Sequence, residues 1–387
     1  MLRNKVIIAG VGDSDVGKVP HLSGLGLNAQ AAGRALDDAG LTLGDVDGLL
    51  TAYSLSEPYL MMGSVLAEYL GIEPRYSASL MVGGATPGAA LHHAAMAVAS
   101  GQANVVLVTA GENRATGKGR DASVEALTQF GHPYFEYPYG PLIPAFYGLV
   151  ARAYMHEYGT TKEQMAHVAV RAREHAIRHP NSPMSEPLTV EEVLNSKPIA
   201  EPLNMLDCCL ISDSAGAFVV TSADRAEGLR NNPAWLWGIG EAHTHEHITM
   251  APSLTEFGTV QSGARAYEMA GVGPQDIDFA ELYDCFTIVP IIEAEELGFA
   301  ERGGGGALFA EGHASIKGRL PINTHGGLLS YAQAGSSGGL HGIVEAVKQL
   351  RGGEGKRQVP RHEVALVHNE GGILSSHCTM ILGADKR

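Results

Sequence analysis

Cysteine is scarce in this chain. The four residues Cys208, Cys209, Cys285 and Cys378 include no C-x-x-C pair, which excludes a familiar zinc knuckle and asks for no disulfide framework. Long apolar runs are missing too. No stretch reaches the roughly 18–20 residues a spanning helix needs, and Met1 to Ala9 is too short for a secretory core, so a cytoplasmic protein with no membrane role is expected. Basic residues are outnumbered, 27 Lys and Arg against 42 Asp and Glu, for a formal charge of −15. That balance argues against nucleic acid and anionic membranes as partners, while local basic groups or a helix N-terminus still suffice for a phosphate.

What is present is a core-forming composition. Hydrophobic residues make up 45% of the 387 positions and charged ones only 18%. Such a chain holds two or three domain-sized units. The 49 glycines cluster between apolar stretches, as tight turns and close backbone approaches require. The valine and isoleucine near Ala9 predict a first β-strand.

The chain repeats itself. Ala32 to Asp47 (AGRALDDAGLTLGDVD) and Gly263 to Asp278 (GARAYEMAGVGPQDID) align without gaps at an offset of 231, pairing Arg34 with Arg265, Gly40 with Gly271 and Asp47 with Asp278. Each copy predicts an amphipathic helix closed by glycine, then a turn and an apolar strand. A glycine-rich turn opening a helix follows at Gly83 to Ser100 and again at Gly335 to Leu350, each with a strand after it, Asn104–Thr109 and Glu363–Val367. Alternating strands and helices predict a duplicated α/β protein with buried, mostly parallel sheets. Residues 113–205 break the pattern with a Pro/Gly/aromatic stretch and long helices over Leu149–His179, an insertion before the strand Gly216–Thr221. The expected division is an N-terminal half (1–112 plus 206–232), an inserted loop domain (113–205) and a C-terminal half (233–387). An insertion at a strand end in such folds commonly walls a ligand site.

Four segments carry a family likeness: AGLTLGDVDGL, YGLVARAYMHEYGTT, AELYDCF, and INTHGGLLS followed by GSSGGLHGIVEAVKQLRG. Over essentially its whole length the chain resembles the thiolase superfamily, and most of all its sterol-carrier and lipid-transfer branch. The resemblance implies a five-layered αβαβα thiolase fold, a homodimer and acyl-CoA substrates, with coenzyme A part of the substrate and no other cofactor.

The residues depart from thiolase chemistry, which needs an acyl-accepting cysteine at a helix N-terminus. Gly84, in Val82–Gly88, stands at the nucleophile's position. Gln333 replaces the histidine of the G-H-P motif, and the N-E-A-F motif reads Tyr283-Asp284-Cys285-Phe286. The C-terminal turn His368-Asn369-Glu370-Gly371-Gly372 has no cysteine. Two phenols arrive instead, Tyr283 and Tyr331. This combination resembles the steroid side-chain-cleaving aldolases, which split a β-hydroxyacyl-CoA to a ketone and a shortened acyl-CoA such as propionyl-CoA. They work with a small OB-fold/zinc-ribbon partner, here implying a heterotetramer.

A retro-aldol step needs a base at the β-hydroxyl, donors on the thioester oxygen and an acid for Cα. The resemblance assigns Tyr331 and Tyr283 to base and acid, in that order or exchanged, and Gly84 leaves room for a bulky carbinol. A tyrosine at its ordinary pKa of ~10 must be shifted toward neutrality to serve as base. His325 and Asn323 are candidate donors, and both also suit holding the loop. Asp284 is a catalytic or supporting carboxylate; Gly84, Asn323, Gln333, His368, Asn369 and Gly371 form the substrate and oxyanion region. Lys118, Arg120, Arg171 and Arg173 are candidates for the CoA phosphates. Competing readings are a non-catalytic acyl-CoA-binding scaffold for the partner and a divergent acyltransferase. Tyr283 and Tyr331 also suit plain packing. Three weaker signals remain. The alternating His243, His245 and His247 suggest a metal but lack a further ligand, so no metal site is assigned. Gly10-Val11-Gly12 with Gly17 has the wrong spacing for a dinucleotide fingerprint. Gly303 to Gly306 reads as a flexible loop.

Overall fold

The computed structural model describes residues 2–117, 130–140 and 142–387. Strands β1 (Val6–Asp13), β2 (Gly48–Ala52), β3 (Tyr76–Leu80), β4 (Val105–Asn113), β7 (Asp213–Ser222), β8 (Ala234–His243), β9 (Phe279–Glu281), β10 (Val364–Gly371) and β11 (Ser376–Gly383) form one sheet. Their order is β3-β2-β4-β7-β1-β8-β11-β10-β9, while β5 (Pro198–Ala200) and β6 (Leu203–Asn204) pair separately. The expected predominance of parallel pairing is wrong. Only β2–β3, β2–β4 and β9–β10 run parallel; the other neighbours are antiparallel. The short link from Gly371 to Ser376 leaves no room for a crossover, so β10 and β11 must pair antiparallel.

The duplication is physical. Helix α1 (Gly24–Ala39) ends at Gly40 with φ 76°, and its counterpart α7 (Thr259–Ala270) ends at Gly271 with φ 66°, the left-handed cap glycine adopts without a Cβ penalty. Arg34 reaches the Asp13 carbonyl at the end of β1, and Arg265 the Glu241 carbonyl near the end of β8. The Asp47 carboxylate accepts the N–H groups of Asn104 and Val105 at 2.8 and 2.9 Å; Asp278 accepts those of Glu363 and Val364 at 2.8 and 3.0 Å. Each aspartate therefore pins the start of the strand beside it. The Gly10-Val11-Gly12 run belongs to this packing: a Cβ on Gly10 would sit 2.2 Å from the Ala35 carbonyl oxygen, and one on Gly238 of β8 2.1 Å from that of Ala266.

Two helices lie between the halves. Helix α3 (Thr86–Ala99) and helix α11 (Leu340–Arg351) each touch strands of both halves, whereas α1 packs chiefly on strands of the first half and α7 on strands of the second. The sheet thus turns back over a central helical layer, and outer helices complete five layers. Alanines of α3 (Ala90, Ala94, Ala97) and branched residues of α11 (Ile343, Val344, Val347) fill the middle core with Val106, Phe218, Val367 and Met380. The inserted segment supplies α4 (Ile143–Tyr158), α5 (Lys162–Ala176) and the short α6 (Val190–Leu194). Phe146, Tyr147, Val150 and Tyr154 of α4 pack into the core of the second half.

Gly303 to Gly306 is not a flexible loop. It opens α9 (Gly305–Ala310), and the N–H groups of Gly303 and Gly305 donate to the Glu295 carboxylate at 2.8 and 2.7 Å. Among the described residues no helix is long and apolar enough to cross a membrane.

Candidate active site

The N-termini of the two central helices meet. Gly84 precedes α3 and Gly339 precedes α11, and a Cβ on Gly339 would stand 2.8 Å from the Gly84 carbonyl oxygen and 2.5 Å from Asn369 Nδ2. Asn369 donates to the Gly339 carbonyl at 3.1 Å, which leaves its Oδ1 buried without a partner. Gly371 backs onto the same turn, its hypothetical Cβ 1.9 Å from the Val82 carbonyl. Backbone therefore packs on backbone at both helix openings, where the dipoles favour developing negative charge.

Gly84 does not leave open space for a carbinol. A Cβ there would lie 2.1 Å from the Tyr283 hydroxyl, 2.2 Å from Tyr283 Cζ and 2.4 Å from the Glu370 carbonyl. The phenol fills the volume a nucleophilic side chain would need. Gln333 Nε2 donates to this hydroxyl at 3.1 Å, and the Tyr283 N–H donates to Glu293 Oε2 at 2.9 Å. Burial, then Cys285 and Glu370, push the phenol well above its ordinary pKa, so Tyr283 rests protonated.

Tyr331 points into a different setting. The same loop that sends Gln333 to Tyr283 puts the Tyr331 ring among three imidazoles, His179 at 4.5 Å, His341 at 5.3 Å and His325 at 5.4 Å between centroids. Its hydroxyl is buried without a hydrogen-bond partner. Burial and the charges of Asp13 and Glu345 push it well above its ordinary pKa. The downward shift expected of a resting base is absent. His325 has the opposite setting: burial disfavours its charge, but Glu281, 2.9 Å from Nδ1, outweighs that and raises it. Glu281 in turn accepts from Thr324, whose hydroxyl also lies 2.7 Å from Glu345, which pairs with Arg357 at 2.6 Å. Burial lowers His179 to about 3, so it is neutral near pH 7; His341 Nδ1 is 2.8 Å from Asp13, with Ser214 at its other nitrogen.

The remaining expected residues hold the frame. Asp284 accepts the Leu328 N–H at 2.7 Å, at the start of the one-turn helix α10 (Gly327–Ser330), and burial raises it to about 6. Asn323, at φ 54°, accepts the Leu282 N–H at 2.7 Å and fixes the loop that carries His325. His368 is enclosed between strands, with Thr379 at 2.8 Å and His377 at 3.3 Å, and burial keeps it neutral. Cys285 and Cys378 are buried and pushed well above the ordinary thiol range, chiefly by burial. Arg171 pairs with Glu174, and Arg173 donates to Ser330 Oγ at 3.1 Å; Lys118 and Arg120 lie outside the described residues. His243, His245 and His247 do not converge, and no cluster of three or more metal-binding side chains occurs among the described residues. A cavity of about 840 Å³ lies elsewhere, lined by His92, Glu241, His243, Arg265 and Glu268.

Among the site residues that escaped the sequence reading are Tyr147, His179, Glu281, Glu293, His341 and Glu370. Tyr147 donates to Glu370 Oε2 at 2.8 Å and stacks on Phe286 at 4.4 Å. A carboxylate within the apolar helix α8 (Val289–Glu296) was the only signal for Glu293.

Comparison with known proteins identifies the family of the fold. Residues 240–384 match the family described as Thiolase C-terminal domain-like. The 17-hydroxy-3-oxo-4-pregnene-20-carboxyl-CoA lyase of Mycobacterium tuberculosis is 37% identical over 91% of this chain and 93% of its own. The steroid side-chain-cleaving aldolase of Thermomonospora curvata is 35% identical over the full length of both. An acetyl-CoA acetyltransferase of Methanothermobacter thermautotrophicus is 34% identical over 95% of this chain and 96% of its own. Among solved structures, one titled Ltp2-ChsH2(DUF35) aldolase superposes with a TM-score of 0.88 at 36% identity, covering all of this chain and 99% of that one. With its five layers, its duplicated halves and its paired helix openings, the chain belongs to the thiolase superfamily, in the sterol-carrier-type branch that includes the steroid side-chain-cleaving aldolases.

Proposed function

We propose that the chain is a carbon–carbon lyase that cleaves a β-hydroxyacyl-CoA, of the steroid side-chain class, by a retro-aldol step without an acyl-enzyme. One observation carries the reading: the Tyr283 phenol occupies the space over Gly84 that an acyl-accepting side chain would need. The relatives named lyase and aldolase support it over the acetyltransferase name, since acyl transfer in this fold requires the side chain that is missing.

In the proposed step the β-hydroxyl loses its proton, the Cβ–O bond becomes a carbonyl, and the Cα–Cβ electron pair moves into the thioester as an enolate. A proton delivered to Cα completes the shortened acyl-CoA. Tyr283, protonated at rest and set at the helix openings, suits the acid at Cα. Tyr331 with His325 suits the base side: His325, polarised by Glu281, is the group beside that phenol whose proton affinity is raised. The openings of α3 and α11 face the enolate oxygen. Coenzyme A enters only as part of the substrate.

The aldolase structure with its ChsH2(DUF35) component supports a small OB-fold partner for this chain, extended here to an OB-fold/zinc-ribbon protein and a heterotetramer built on a homodimer. The test is cleavage of a β-hydroxy steroid acyl-CoA by the chain with and without that partner, in wild type, Tyr283→Phe and Tyr331→Phe. Ketone and shortened acyl-CoA from wild type, falling about 10²–10⁴-fold in either variant while the ester still binds, is the expected result. Ester binding with no ketone in any combination would replace the lyase by a binding scaffold.

A further inference from the structure

The chemistry above leaves several buried carboxyl groups at the site unused, and Glu370 is one of them. Glu370 lies near the end of β10, fully enclosed. Its Oε2 accepts the Tyr147 hydroxyl at 2.8 Å, its Oε1 accepts the Leu374 N–H at 2.6 Å, and Cys285 Sγ lies 3.7 Å away. No ion pair to it occurs among the described residues. Its main chain touches the reacting region: the Glu370 carbonyl is one of the three atoms crowding the Cβ position over Gly84, next to the Tyr283 hydroxyl.

The groups around it come from four elements. Tyr147 reaches in from α4, Tyr283 and Cys285 from the segment after β9, and Glu293 from α8, while Leu374 belongs to the turn that follows β10. Glu293 holds the Tyr283 N–H with one oxygen, and its other oxygen has no hydrogen-bond partner. Two carboxyl groups therefore flank Tyr283, and the imidazole nearest them, His368 Nε2 at 3.7 Å from Glu293 Oε1, is kept neutral by burial. Burial pushes Glu370 up to about 7 against the hydrogen bonds from Tyr147, Leu374 and Cys285, and pushes Glu293 well above the carboxylate range with Glu370 adding to it. The Tyr283 phenol feels Glu370 in the same direction, after burial and Cys285.

We propose that Glu370, steadied by Tyr147, is a positioning residue of the lyase site whose proton keeps Tyr283 a competent donor to the substrate's Cα. When Glu370 ionises, an uncompensated negative charge stands beside the phenol. Releasing the Tyr283 proton would then place a second anion next to the first, so proton delivery slows. The proposal rests on the lyase reading and on Tyr283 as the acid. Its sign follows from the raised Glu370: the group is protonated below about 7 and ionised above, so donation weakens as pH rises through that value. No proton is consumed in this role. Glu370 keeps its own, and the one that reaches Cα comes from Tyr283.

The test is the pH profile of ketone formation for wild type, Glu370→Gln and Tyr147→Phe, with an infrared titration of each ligand-free protein. Wild type is expected to lose about tenfold in rate per pH unit above a limb near 7. Glu370→Gln is expected to lack that limb while retaining turnover below it, and Tyr147→Phe, which removes a hydrogen bond favouring the ionised form, to move it to higher pH. The infrared titration is expected to show a carboxyl signal near neutrality that vanishes in Glu370→Gln and perturbs a tyrosine ring mode absent from Tyr283→Phe. A Glu370→Gln profile of wild-type shape, lowered or not, would overturn the proposal by reducing Glu370 to a structural part. Absence of that carboxyl signal would overturn it independently of activity. If the coupled signals appear but wild type forms no ketone, the lyase reading falls and the Glu370–Tyr283 coupling stands.

Discussion

Replacing Gly84 by alanine adds one methyl group, and the structure says where it goes. The new carbon would lie 2.1 Å from the Tyr283 hydroxyl and 2.2 Å from Cζ, so the ring must retreat by about 1 Å or more to reach ordinary contact. That retreat breaks the 3.1 Å bond from Gln333, about 0.5–1.5 kcal/mol, and adds an overpacking cost of about 1–3 kcal/mol. A loss of roughly 2–4 kcal/mol is expected from urea unfolding, with ketone formation falling at least as far as in Tyr283→Phe. The decisive assay is a double-mutant cycle. Tyr283→Ala removes the ring, so Gly84→Ala in that background should cost less, and the difference measures the steric coupling. Some cost should survive, because the Glu370 carbonyl at 2.4 Å is backbone and remains. Additive effects, or a Gly84→Ala protein as stable and active as wild type, would refute the claim that glycine is there to admit the phenol.

Two further perturbations probe the frame around the site. Asp284 is raised to about 6, so its contribution to stability is full below the ordinary carboxylate range and is lost as pH rises through about 6. Asp284→Asn should therefore flatten the decline in unfolding free energy between about pH 4 and 7 by at most roughly 3 kcal/mol, as followed by urea unfolding across pH; an unchanged slope would remove Asp284 as its source. Arg357 pairs with Glu345 inside the protein at 2.6 Å, and Arg357→Met would strand that carboxylate. A loss of about 3–5 kcal/mol in chemical denaturation is expected, and a loss below 1 kcal/mol would mean the pair is not buried in solution.

Much of this was legible in residue order because the chain states it twice. The 231-residue offset carries cap glycines, strand-pinning aspartates and helix-anchoring arginines; the aspartates act across 57 and 85 positions, but each copy meets equivalent partners, so matching letters meant matching structure. Strand direction was not legible, since an apolar run records that it is buried but not which way its partner runs. The same limit hid part of the site. Tyr147 meets Glu370 across 223 positions, and nothing about a tyrosine on a helix announces that. Gly84 and Tyr283 were each singled out as departures, yet their steric exchange appears only when the two loops are brought together. Gly303 to Gly306 misled because a glycine run looks slack; the carboxylate that orders it, Glu295, lies in the preceding helix.

The two halves also differ at one edge. Read outward from the centre, the first half runs β1, β7, β4, β2, β3, and the second runs β8, β11, β10, β9 before the regular strands stop. Where β3 would have its twin, the second half offers only a single parallel bridge, Ala280 to Ile322, and the chain then turns directly into Asn323, Thr324 and His325. One copy carries an outer strand at this edge, whereas the other carries a loop whose Asn323, Thr324 and His325 are buried. The asymmetry between the twin halves is thus one strand wide, and the proposed base side of the reaction lies on the half without it.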